Sequence, residues 1–150
     1  MREKKRILGV VLLLLCLALG RIAYYTMPVK LSYLENVESC SQVSVLPSYK
    51  GLELYEQKKI LEQDEILELK EFLQNSTFSR RHGGTSIPGD RYHTYHISFK
   101  CSDGTSVQLR TLGENAYGTD SFVWDTGGKI IFLQAHDENW HNNLEKLLTE

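Results

Sequence analysis

Prolines number only three in 150 residues and cysteines three, and neither an internal repeat nor a low-complexity tract interrupts the chain. With 41% hydrophobic and 24% charged residues, such a composition excludes a chain that stays disordered. Charge of neither sign dominates. The 17 basic and 19 acidic side chains leave a formal net charge of −2, which speaks against nucleic acid as a partner. The length supports one domain with an appendage and leaves no room for a second catalytic lobe. Catalytic signatures are missing too: there is no G-x-S-x-G elbow, no H-E-x-x-H and no G-x-x-x-x-G-K-[ST]. The aspartates have structural duties, Asp103 and Asp125 in turns, Asp64 and Asp137 at helix starts. A non-enzymatic protein with no cofactor is expected.

What is present is an asymmetric N-terminus. Residues 1–6 hold four basic groups and one acid, and residues 7–20 (ILGVVLLLLCLALG) hold no charge. Residues 21–150 then keep 13 basic against 18 acidic side chains, a net of −5. A basic start followed by an apolar run is the pattern of a secretory signal or a signal anchor. A buried core helix, the alternative, leaves the cations unexplained.

Fourteen apolar residues fall short of a bilayer core about 30 Å thick. After Arg21, however, the apolar character resumes through Met27. Residues 7–27 span about 31 Å at 1.5 Å per residue, long enough to cross. Arg21 then snorkels to the outer interface, Tyr24 and Tyr25 lie at headgroup depth, and Pro28 ends the helix. The expected arrangement is an uncleaved anchor, residues 1–27, with the lipid bilayer as partner of residues 7–27. Cleavage after Ala18-Leu19-Gly20, giving a secreted domain, is the alternative. Lipid attachment at Cys16 is disfavoured, because bacterial lipoproteins need a small residue before the cysteine and Leu15 stands there. The cations Arg2, Lys4, Lys5 and Arg6 place the N-terminus in the cytoplasm and residues 28–150 outside the cell membrane. Outside, Cys40 and Cys101 fit one disulfide, or two buried thiols acting as small hydrophobes.

Residues 28–36 read as a juxtamembrane tether and residues 37–150 as the extracytoplasmic domain. Gln42–Leu46 alternates and should stop at Pro47; Leu52–Glu56 alternates after a Lys50-Gly51 turn. Asp64 is expected to cap a helix from Glu65 to Gln74, with Ile66, Leu69, Leu73, Leu67 and Phe72 as its apolar stripe and Glu65, Glu68, Lys70 and Glu71 as its wet face. Residues 77–81 suggest a short edge strand, and residues 82–90 an exposed loop. Arg91–Lys100 and Thr105–Thr111 flank an Asp103-Gly104 turn, the strongest hairpin signal in the chain. Tyr92, Thr94, His96 and Ser98 share one face of the first strand; His93, Tyr95, Ile97 and Phe99 share the more apolar one. A second hairpin turns through residues 125–128, and Asp137 introduces a terminal helix buried through Trp140, Leu144, Leu147 and Leu148. The order predicts an α+β fold: one antiparallel sheet with two helices packed on one face, after an N-terminal transmembrane or signal helix.

Candidate chemistry is sparse. His93 and His96 form H-x-x-H, yet on a strand positions i and i+3 point to opposite faces and cannot share one metal. A metal-binding enzyme or carrier would have to join His93 or His96 to His136 or His141 from other elements. Arg80-Arg81-His82 runs into Gly83-Gly84, whose amides are suited to an anion. The plainer reading makes Arg80, Arg81 and His82, with Tyr92, Thr94 and His96 on the exposed sheet face, a contact surface for a protein or cell-envelope partner.

The segments DEILELKEFLQNSTFSRR, YHISFKCSDGTSVQLRT and SFVWDTGGKIIFL, after a basic-hydrophobic leader, resemble those of small exported or membrane-anchored proteins of Gram-positive bacteria. Those proteins belong to α+β domain families of unknown function. The resemblance implies an extracytoplasmic α+β domain and carries no catalytic residues with it.

Overall fold

The computed structural model describes residues 2–31, 34, 37, 40–49, 52–81, 93–114 and 119–149. The expected loop at residues 82–90, Tyr92 and the Lys50-Gly51 turn lie outside them. Helix α1 (Arg2–Thr26) contains a 21-residue stretch, Arg6–Thr26, long and apolar enough to cross a membrane or to serve as a signal sequence. Ile7, Leu12, Leu15 and Leu19 on it are each more than half exposed, and among the described residues none shields residues 6–22.

The domain is one antiparallel sheet built from β1 (Cys40–Tyr49), β2 (Leu52–Glu53), β3 (Lys59–Ile60), β4 (Phe78–Arg80), β5 (His93–Cys101), β6 (Ser106–Glu114), β7 (Asp120–Asp125) and β8 (Ile130–Ala135). The strand order is β2-β1-β5-β6-β7-β8-β4, with β3 also pairing β1. Helices α2 (Gln63–Asn75) and α3 (Trp140–Thr149) complete the α+β fold expected from the sequence.

Register decides where the core lies. Val45, Ile97, Leu109 and Trp124 are successive partners across β1, β5, β6 and β7, and Thr111, Phe122 and Leu133 form a second row. These inward side chains are buried under Ile66, Leu69 and Leu73 of α2 and Trp140, Leu144 and Leu148 of α3. Trp140 is the keystone. Its ring stacks on Phe122 at 5.0 Å and on Phe72 at 5.8 Å, and its Nε1–H donates to Ser76 Oγ at 3.1 Å. Buried tryptophan combines a large apolar area with a polar tip that needs a partner, and both demands are met.

Several boundaries differ from the sequence reading. Pro47 does not stop β1, which pairs with β5 from Cys40 to Tyr49. Its carbonyl accepts the Leu54 N–H at 2.9 Å, on the side away from β5, so the missing proline N–H falls on the ragged edge and costs no ladder bond. The Leu52–Glu56 strand shrinks to two residues and gives way to a 3-10 turn, Tyr55–Gln57. Helix α2 starts one residue before Asp64, with Glu62 at its N-cap position and Glu65 receiving the Glu62 N–H at 2.7 Å. Lys70, expected on the wet face, is buried, and Leu67, expected in the stripe, is exposed.

The β5–β6 turn is a three-residue one. Gly104 N–H donates to Cys101 O, Cys101 N–H to Thr105 O, and Gly104 alone of the turn's residues needs glycine's freedom, at φ 83°. Residues 28–31 are no free tether: Pro28 bridges Ser79, Val29 N–H donates to Phe78 O at 2.8 Å, and Leu31 packs against the core.

Candidate functional site

Both helices lie over the inward side chains, and among the described residues none covers the outward ones. Leu46, His96, Arg110, Val123 and Phe132 are successive partners across β1, β5, β6, β7 and β8 on this outer face. The β5–β6 ladder ends at His96–Arg110. Beyond it the Tyr95 N–H goes to Thr111 Oγ1 at 2.7 Å instead of a strand carbonyl, and a bulge between Thr111 and Gly113 shifts the β6–β7 register. Gly113, at φ 80°, supplies the left-handed residue such a bulge favours.

The splayed ladder opens a depression of about 210 Å³ lined by Ser48, Glu53, Thr94, His96, Arg110 and Leu112. Within it Thr94 Oγ1 donates to Ser48 O at 3.4 Å, and His96 Nε2 donates to Gln108 Oε1 at 3.1 Å. Arg110 is exposed and has no ion-pair partner among the described residues. The depression thus offers hydroxyl, imidazole, carboxylate and guanidinium groups around one apolar side chain. Such a surface suits hydrogen-bonded recognition of a polar, extended ligand.

The structure brings together only part of the contact surface expected from the sequence. Thr94 and His96 sit side by side on the outer face, half-buried as the alternation requires. Arg80 and Arg81 belong to the other edge: three strands separate β4 from β5, about 19 Å at the usual strand spacing. Arg80 is already occupied there. Its guanidinium lies 4.3 Å from the centre of the Tyr24 ring and donates to Tyr24 O at 3.3 Å. His82 and Tyr92 lie outside the described residues. Arg110 and Leu112 went unnoticed in the sequence, although counting across the Asp103-Gly104 hairpin sets Arg110 opposite His96.

The remaining histidines point different ways. His93 and His96 face opposite sides of β5, His93 donating through Nδ1 to Glu145 Oε1 of α3 at 3.3 Å. His141 is buried with its ring centre 6.0 Å from that of Tyr95, and His136 follows β8 on the rim of a wide hollow between α2 and α3. Among the described residues no three His, Cys, Asp or Glu side chains gather as a metal site. The hollow itself, bordered by Glu68 and Glu71, is the solvated flank of α2. Cys40 and Cys101 are direct partners at the first pair of the β1–β5 ladder and are joined as a disulfide, where the sequence also allowed two buried thiols.

No protein-family model, no curated protein and no solved structure matches this chain, so the reading of the site rests on its own geometry.

Proposed function

We propose that this chain is a single-pass membrane protein that presents a small binding module on the outer side of the cell membrane, its cytoplasmic N-terminus preceding the span. One observation carries the reading: residues 6–22 of α1 are exposed throughout, beside a domain that closes its core without them. An unshielded helix of that length loses free energy in water at every apolar residue and regains it in a bilayer. The basic N-terminal residues supply the orientation. The module's contact surface is the outer-face depression around Thr94, His96 and Arg110, with a protein or cell-envelope component as its partner.

The test is an intact mass of the protein extracted from membranes, paired with protease treatment of whole cells. A full-length mass with the domain cleaved from outside supports the anchored module. A chain beginning at Arg21 and recovered from the medium would replace it with a secreted domain.

A further inference from the structure

Beside the end of α1 the outer sheet face changes character. Its middle is polar, but on β8 the outward positions are Ile130 and Phe132, 61% and 52% exposed. Lys129 precedes them, and Arg81 adjoins them, its N–H donating to Phe132 O at 3.0 Å. Opposite Ile130 stands Asp125, whose Oδ1 is held by the Gly127 N–H at 2.8 Å within the turn. Large apolar side chains rimmed by cations suit the headgroup region of a membrane, where acyl chains and phosphate groups are met together.

Position supplies the second argument. A hollow of about 350 Å³ is lined from one side by Tyr24 and Tyr25 of α1 and from the other by Lys129, Ile130 and Phe132. The Arg80–Tyr24 stack closes this junction, and the Pro28–Ser79 bridge follows within two residues of the helix end. The bracket leaves no slack between the span and the β4–β8 edge. The hairpin therefore sits at the level where α1 leaves the bilayer, the depth at which interfacial tyrosines settle.

We propose that the β7–β8 hairpin is a lipid-contacting foot: Ile130 and Phe132 enter the outer headgroup layer, and Lys129 and Arg81 face anionic phosphates. The proposal rests on the anchored reading above and adds that the domain is seated on the membrane rather than tethered over it.

The experiment uses the full chain in vesicles of mixed zwitterionic and anionic phospholipid, with brominated acyl chains as a contact quencher. Three single variants each carry a new tryptophan: Leu15→Trp in the span, Phe132→Trp in the foot and Leu52→Trp on the opposite sheet edge. The native Trp124 and Trp140 are fully buried and give a constant background. Leu15→Trp and Phe132→Trp are expected to lose emission in brominated vesicles, Leu52→Trp to keep it. Adding Lys129→Gln to Phe132→Trp should lower the seated-to-lifted ratio about fivefold in anionic vesicles and change nothing in zwitterionic ones.

Quenching at Leu15→Trp with none at Phe132→Trp would overturn the foot while leaving the anchor. Equal quenching at Phe132→Trp and Leu52→Trp would overturn it too, as contact without a preferred face. Quenching at none of the three would overturn the anchored reading and the foot together.

Discussion

The Tyr95 hydroxyl donates to Glu145 Oε1 at 2.9 Å, tying β5, third in the strand order, to the terminal helix across the edge of the core. Burial, and then the Glu145 carboxylate, push the Tyr95 hydroxyl well above the ordinary tyrosine range. The folded state thus holds this proton more tightly than the unfolded chain does. Stability from the pair is complete below about pH 10 and is lost as pH climbs through and above that value. Tyr95→Phe is expected to cost about 1 kcal/mol at neutral pH and to flatten the alkaline decline. Urea midpoints measured on either side of pH 10 check both effects; an unchanged alkaline slope would remove Tyr95 as its source.

The start of α2 supplies an acid-side counterpart. Glu65 receives the Lys59 ammonium at 2.7 Å and the Glu62 N–H at 2.7 Å, and the lysine first, then the backbone donor, hold its carboxyl below the usual carboxylate range. Its contribution is present above the ordinary glutamate pKa and disappears as pH falls through the depressed one. Glu65→Ala should cost about 1 kcal/mol at neutral pH, the usual worth of a cap. The gap between the variant and the native chain should narrow as pH falls below the ordinary glutamate range, which melting curves at neutral and acid pH would show.

How much of this was legible in the sequence follows from where each feature is decided. Tyr95, Ile97 and Phe99 declare the inner face of β5 because a sheet covered on one side forces strict alternation. The Asp125–Gly128 turn and the Trp140–Leu148 stripe are equally local. Pro47 misled because its cost depends on which neighbour its missing N–H would have faced, and that is a property of the sheet edge. KIIFL at residues 129–133 reads as a continuous apolar run. Only its pairing with β7 makes Leu133 inward and Ile130 and Phe132 outward. The depression at His96 and Arg110 depends on a bulge two residues past the paired segment, which no periodicity announces. The separation of Arg80 from Thr94 depends on strand order, and neighbouring stretches of sequence gave the opposite impression.

Trp140 concentrates the packing of both helices. Trp140→Ala would empty the space between Phe122, Phe72 and Phe78, at a cost of about 3–5 kcal/mol. It would also leave Ser76 Oγ without its indole donor. Trp140→Phe keeps the stack and forfeits the hydrogen bond, so its cost should stay near 1 kcal/mol. Denaturant midpoints of the two variants check the ranking; equal losses would mean that the Nε1–H bond, not the ring, governs the site.

The link between Cys40 and Cys101 joins points 61 residues apart. Closing a loop of that size restricts the unfolded chain, and losing the bridge should cost about 2–4 kcal/mol. Cys16 lies on α1 as a free, exposed thiol. Protein extracted from membranes, denatured and alkylated without reductant should therefore gain one adduct, and three after reduction. Cys40→Ser should then give two adducts without reductant, because Cys101 loses its partner, and lower the unfolding midpoint. Three adducts in the unreduced native chain would return both cysteines to the core as thiols. The β1–β5 edge would then be held by its ladder and by buried cross-strand pairs such as Val43–Phe99 and Val45–Ile97, and the Cys40→Ser variant would unfold close to the native midpoint.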